Sequence, residues 1–302
     1  MTRSAPRSVA QYLEQLRAAL AGEDPALQQD ALYDAEEYLR AEVAQHPDKA
    51  EADVLELISS TYGAPEEVAD AYRTTEATVK AALAPPRRAV PHSALGRFFG
   101  VFTDARAYTS LFFMLLSLAT GIIYFVVTVT GLALSVGLFV LIIGIPFFLL
   151  FLGLVRVLAL AEGRIVESLT GVRMPRRPVY APRDLGWSER IKGMLTDRHT
   201  WLAMFYMIVK LPLGILYFTL AVAGVSAGLA LIGGSVFQVL IDSRLTTFGM
   251  PPDYFHSDVP TWALPLTLAI GVVLLTAMMH LAKGIGIMHG HLAKALLVRP
   301  TG

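Results

Sequence analysis

The sequence predicts an all-α protein: a small cytosolic helical bundle followed by a polytopic transmembrane domain of four helices built from two repeated hairpins. Three observations predict this. First, 54% of the 302 residues are hydrophobic and only 17% are charged, against about a quarter charged in a soluble domain. Second, the apolar residues are concentrated. No charge occurs between Thr109 and Val155, Lys210 alone interrupts Trp201–Ile241, and Thr261–Ala282 is a third apolar run. Runs of about 20 such residues are long enough to cross a bilayer, where a helix satisfies its own backbone. Third, the apolar part is written twice. Residues 103–139 moved by 93 positions onto 196–232 give 12 identities in 37, where composition alone gives about four.

The elements follow in order. Ser8 with Gln11 three residues on is a capping-box pattern, and Val9, Tyr12, Leu13, Leu16 and Leu20 form the apolar stripe of a first helix. Asp24–Pro25 starts a second, with Leu27, Ala31, Leu32, Ala35, Leu39 and Val43 on its face. Asp48 with Glu51 is expected to cap a third, carrying Val54, Leu55, Leu57 and Ile58 and stopping near Gly63. Pro65 opens a fourth, with Val68, Ala69 and Tyr72. These helices make the head, residues 1–84. A Pro/Arg linker occupies 85–99. The first membrane hairpin covers 100–171, a cytosolic loop 172–195, and the second hairpin 196–298 with an extracytoplasmic insertion at 241–262.

The repeat pairs Thr103 with Thr196, Asp104 with Asp197, Gly121 with Gly214, Tyr124 with Tyr217 and Gly131 with Gly224. At an offset of 127, residues 154–169 lie over 281–296 and pair Arg156 with Lys283. The stretch from Arg156 to Arg198 holds nine basic residues, so the positive-inside rule places both termini and the middle loop in the cytoplasm. With two spans per copy, both copies are expected to share one orientation, related by an axis along the membrane normal. The protein is thus expected in the cytoplasmic membrane, with the bilayer as its first partner.

Charge and composition exclude several function classes. Residues 1–84 hold 16 acidic and 7 basic residues, which argues against direct nucleic-acid binding by the head. There is no cysteine, hence no disulfide or thiol chemistry. The first 15 residues lack the apolar core of a signal peptide. No Gly-rich phosphate loop, HExxH or Ser–His–Asp order is visible, so no enzyme activity, catalytic residue or cofactor is predicted. His289 and His291 are two apart and point to different faces of a helix, where a metal pair needs four. No metal site is predicted, and this helix is expected to lie at the interface with its polar side toward the cytoplasm. The helix glycines, Gly121, Gly131, Gly137 and Gly144 with Gly224, Gly228, Gly233 and Gly234, are expected to allow close packing.

Candidate functional residues fall into two groups. Lys210 stands in an apolar run before Pro212. The proline suggests a short entering helix over 200–211, from which Lys210 snorkels to the headgroups; the competing reading is a functional intramembrane charge. Tyr124 and Tyr217 match across the repeat, by symmetric packing or as ligand contacts. Asp242, Arg244, Tyr254 and His256 lie on the insertion, a candidate outer ligand surface. With Lys210 and the two tyrosines they form the candidate signal-sensing set. Asp34, Glu36, Glu37, Glu42, Glu66 and Glu67 are candidates for docking a basic partner, or otherwise a solvated face.

Two phrases, DALYDAEEYLRAEV (30–43) and TYGAPEEVADAY (61–72), resemble the HAAS family, a short helical signalling domain. Ala64 departs from it, standing where an aspartate cap is expected. RHTWLAMFYMIVKLPLGILYF (198–218), the duplicated hairpins and the ending HGHLAKALL resemble the sensor domain found at the amino end of many actinobacterial histidine kinases. That resemblance covers about residues 97–298 and leaves no room for a kinase. Since HAAS domains commonly accompany PadR-type repressors, the two together imply a membrane sensor without its own kinase. It would relay a membrane or extracytoplasmic signal through the head to a separate cytosolic regulator, and a homo-oligomer is compatible with it. The alternatives are an accessory subunit of a transporter, which would need a polar pathway, and a structural membrane scaffold.

Overall fold

The computed structural model describes residues 5–83, 93–141, 143–177, 192, 195–242 and 259–298. Among them are nine α-helices, two 3-10 turns and no strand. The head contributes α1 (Val9–Ala19), α2 (Pro25–Gln45), α3 (Glu51–Ser59) and α4 (Pro65–Leu83). Ser8 caps α1 by accepting from Gln11 N at 3.2 Å, but Gln11 Oε1 reaches back to Arg7 N at 2.8 Å, one residue before the cap. Asp24 caps α2 at Ala26 N, 2.9 Å. Asp48 does not cap α3: Ala50 holds that position without a side-chain bond. Glu51 instead accepts from Val9 N at 2.7 Å and ties α3 to the first turn of α1. Ahead of α4, Ala64 N donates to Glu67 Oε2 at 3.0 Å, the returning half of a capping box. Gly63 sits at φ 102°, where a side chain is strained, and its carbonyl accepts from the Tyr12 hydroxyl at 2.8 Å. Val9, Tyr12, Leu16 and Leu20 meet the α2 stripe of Ala31, Ala35 and Leu39 in one core with α3 and α4. Leu57, expected on the α3 stripe, points outward and is 53% exposed.

Helix α5 (Ala94–Phe99) and a 3-10 turn (Gly100–Thr103) lead into four long helices: α6 (Ala105–Leu138), α7 (Gly144–Thr170), α8 (Arg198–Asp242) and α9 (Leu264–Leu297). All four are long and apolar enough to cross a membrane. Helix α8 runs unbroken through Pro212, so the entering helix expected over 200–211 is not a separate element. A proline removes one backbone hydrogen bond, and packed neighbours let a membrane helix tolerate that.

The duplication is visible in the packing. Within each hairpin a glycine receives a bulky side chain: a Cβ on Gly131 would stand 2.3 Å from the Phe151 ring, and one on Gly224 2.6 Å from Met278 Sδ. These contacts are equivalent at the two offsets. Between hairpins, a Cβ on Gly121 would stand 2.8 Å from Lys210 O and one on Gly214 2.3 Å from Ser117 O. Such reciprocity is the mark of a two-fold interface. Gly137, Gly233 and Gly234, also expected to serve close packing, have no neighbour within 4 Å of a built Cβ.

The order of these contacts sets the direction of the helices. Ser117, Gly121 and Thr128 of α6 meet Gly214, Lys210 and Met207 of α8 in descending number. Helices α6 and α8 are therefore antiparallel, and the pseudo-two-fold runs across them. This overturns the expectation of a common orientation about an axis along the helices. The α6–α7 turn and the start of the α8–α9 connection stand at opposite ends of the bundle. Charge counting orients each hairpin against a bilayer; the face on which two hairpins meet is decided by the paired glycines.

Candidate functional site

The crossing of α6 and α8 encloses a polar cluster. Lys210, Glu162 and His289 are all fully buried. Lys210 Nζ donates to Glu162 Oε1 at 2.7 Å and lies 3.2 Å from His289 Nε2. The other ring nitrogen, His289 Nδ1, faces the Tyr217 hydroxyl at 3.3 Å. The Tyr206 hydroxyl donates to the same Glu162 Oε1 at 2.7 Å and stands 2.8 Å from His289 Nε2. Tyr124 belongs to the same buried core, and Glu162 Oε2 is buried without a hydrogen bond. Phe113 covers the ammonium with its ring centroid 4.4 Å away, an attractive cation–π geometry.

The cluster occupies repeat-equivalent positions filled by different chemistry. Glu162 and His289 are equivalent at offset 127; Ser117 and Lys210, Phe113 and Tyr206, and Tyr124 and Tyr217 at offset 93. One repeat supplies the acid, the other the base and the imidazole. The chain thereby places an ion pair on a pseudo-symmetry axis without placing like charges there. A pair so buried holds only while both members and their hydrogen-bond partners are present.

Two further ion pairs tie the repeats together, and they too are equivalent. Lys283 bonds Asp104 at 2.6 Å, and Arg156 bonds Asp197 at 3.3 Å. Each aspartate also caps the helix it precedes, Asp104 at Arg106 N and Asp197 at His199 N. The hydrogen bond from Lys283, with the cap bond and the nearby charges, outweighs desolvation and holds the Asp104 carboxyl below the usual carboxylate range.

The head is latched to this body. The segment after α7 turns back along it, so that Met174 packs over Gly163 and Arg176 O accepts from Arg164 at 3.2 Å. Asp30 of α2 takes Arg173 Nη2 at 2.8 Å and the backbone N–H groups of Arg176 and Arg177 at 2.7 and 2.8 Å. Gln29 donates to Arg177 O at 2.8 Å. Glu76 takes Arg173 Nε at 3.2 Å, Asp34 takes Arg177 Nε at 2.8 Å, and Asp24 takes Lys294 Nζ at 2.5 Å. Burial works against the charge of Arg173, but Asp30, Glu76 and Glu167 more than offset it and raise its affinity for the proton.

Of the sequence candidates, Lys210, Tyr124 and Tyr217 come together in the cluster. Lys210 does not snorkel: the antiparallel crossing buries it against Glu162. The helix of His289 is not an interfacial one with its polar side outward, since His289 points into the core. The last residue of α8 is Asp242; Arg244, Tyr254 and His256 lie outside the described residues. Asp34 joins the latch and also accepts from the Tyr72 hydroxyl at 2.9 Å. Glu36 pairs with Arg40 at 3.0 Å. Glu67 serves the α4 cap, Glu37 and Glu66 are exposed, and Glu42 is half-buried. Sequence reasoning missed Glu162, Tyr206, Asp30 and Arg173 as site residues. The repeat alignment carried a signal for Glu162, since it pairs an acid with a histidine. Among the described residues no group of three or more His, Asp or Glu is arranged to hold a metal.

Residues 113–297 match the model of a family described as "Putative sensor". No curated protein and no solved structure matches the chain.

Proposed function

The chain belongs to that sensor family, and from this premise we propose that it is a membrane sensor and adaptor that performs no catalysis itself. A membrane or extracytoplasmic signal shifts the packing of the two hairpins, and the HAAS-like head passes the change to a cytosolic regulator, for which a PadR-type repressor is the expected class. The observation that carries this reading is where the head is held. Its latch segment packs on Gly163, next to Glu162, and its Lys294 contact lies five residues beyond His289. A rearrangement of the buried cluster therefore moves both anchors of the head. A relay of this kind requires two states with different contacts, and a buried ion pair that is either made or broken supplies them.

The test is proximity labelling in native membranes by the intact protein and by a version lacking residues 1–83. Enrichment of a DNA-binding regulator by the intact protein alone, altered by Lys210→Met, supports the relay. Identical partners from both versions would sink it.

A second reading, an accessory subunit of a transporter, is favoured by one observation: the Lys210–Glu162–His289 chain is polar matter inside the membrane helices. Solute or proton flux in reconstituted vesicles, abolished by Glu162→Gln, would favour it. A structural scaffold would show neither response.

A further inference from the structure

We infer that the α2–α4 face of the head is a binding site for an arginine-rich peptide of pattern Arg-x-x-x-Arg, which residues 173–177 occupy in cis. The recognition is of main chain as well as charge. Asp30 Oδ1 accepts both consecutive backbone N–H groups, of Arg176 and Arg177, at 2.7 and 2.8 Å. Gln29 Nε2 donates to the Arg177 carbonyl at 2.8 Å. Donor and acceptor on adjacent side chains thus read the backbone of one residue, and two consecutive N–H groups converge on one oxygen because the segment bends at 176–177. Side-chain pockets add the sequence preference. Arg173 is held between Asp30 and Glu76 at 2.8 and 3.2 Å, and Arg177 reaches Asp34 at 2.8 Å with its guanidinium 5.9 Å from the Tyr33 ring. Asp30, Gln29 and Glu76 are nearly inaccessible when the segment is seated. Charge-assisted bonds of this kind are about twice as strong as neutral ones.

This site rests on the sensor reading only for its biological use. There, a partner presenting such a peptide displaces the segment when the body shifts, and the latch is the resting, self-occupied state. Because the tethered segment competes at an effective concentration of roughly millimolar, a free peptide binds the intact protein poorly.

The experiment uses the full chain in nanodiscs and a fluorescent peptide of residues 170–178, TGVRMPRRP. The variant R173S/R177S empties the side-chain pockets in cis. It is expected to bind the peptide about tenfold or more tighter than wild type. Asp30→Ala in that background is expected to lose the gain. A peptide N-methylated at its second and third arginines keeps every charge but loses both N–H groups, and is expected to bind at least about tenfold more weakly. Equal binding of the methylated and plain peptides would reduce the face to an unspecific acidic patch and overturn the site. So would failure of the opened variant to bind while its helical content and melting match wild type. No signal and no regulator enters the assay, so its failure leaves the sensor reading standing, and the loss of that reading leaves the site standing.

Discussion

Glu162 and His289 hold the same position in the two repeats, yet one is an acid and the other an imidazole, and both meet Lys210, at 2.7 and 3.2 Å. An exact copy would have set like groups against each other at the axis: two carboxylates or two imidazoles, with two lysines or two serines beside them. The divergence of the copies is what makes a neutral, hydrogen-bonded cluster there, and it is the feature on which a switch in this protein would act.

Breaking the pair from one side is expected to be costly. Lys210→Met leaves Glu162 charged and buried, a loss of about 3–5 kcal/mol. The double variant Lys210→Met/Glu162→Gln removes both charges and is expected to recover at least half of that. Unfolding in mixed micelles measures the cycle. Additive losses would show that the two residues are not coupled.

The glycine crossing is expected to be intolerant. Gly214→Ala puts a methyl against the Ser117 carbonyl, at 2.3 Å before relaxation; backbone cannot yield as a side chain does, so the cost is about 3 kcal/mol. Gly233→Ala, with no neighbour within 4 Å, is expected to be neutral or stabilising, because alanine favours helix over glycine. Thermal melting of the two variants side by side separates a close approach from a merely helical glycine.

The antiparallel packing predicts a long distance. Leu141 and Val259 stand at opposite ends of the bundle and are 54% and 38% exposed. The chain has no cysteine, so the pair can be replaced and spin-labelled cleanly. From the crossing at Ala119 and Pro212, a rise of 1.5 Å per residue puts the labels roughly 70 Å apart. A distance under about 40 Å would restore the common orientation expected from charge.

The head is expected to lose stability in strong base, above pH about 10. Burial, with the Asp34 charge nearby, pushes the Tyr62 phenol up to about 12. Burial likewise raises Tyr12 and Tyr72 above the ordinary range. Each is an acid whose folded value exceeds its unfolded one near 10. The stability they contribute is complete below pH about 10 and is lost as the pH rises toward 12. Circular dichroism from pH 9 to 12, with tyrosinate absorbance followed alongside, checks this; Tyr62→Phe is expected to flatten the dependence. A head whose tyrosines titrate near pH 10 without unfolding would contradict the buried environment.

The helical class, the four apolar helices, the duplication and the isolated lysine are all legible along the chain. Each is a matter of local composition or self-similarity along the chain: helical spacing in Val9–Leu20, uncharged runs, identities at a fixed offset. Tertiary structure alone decided what those elements face. Glu162 is 48 residues from Lys210 and His289 is 79, and nothing local ties three such side chains to one point. Asp30 looks like any acid on a charged helix until two backbone N–H groups 146 and 147 residues away converge on it. The hairpin directions were misread for the same reason. Loop charge reports on the side of a bilayer, whereas the antiparallel crossing comes from two glycines that let the backbones of α6 and α8 touch.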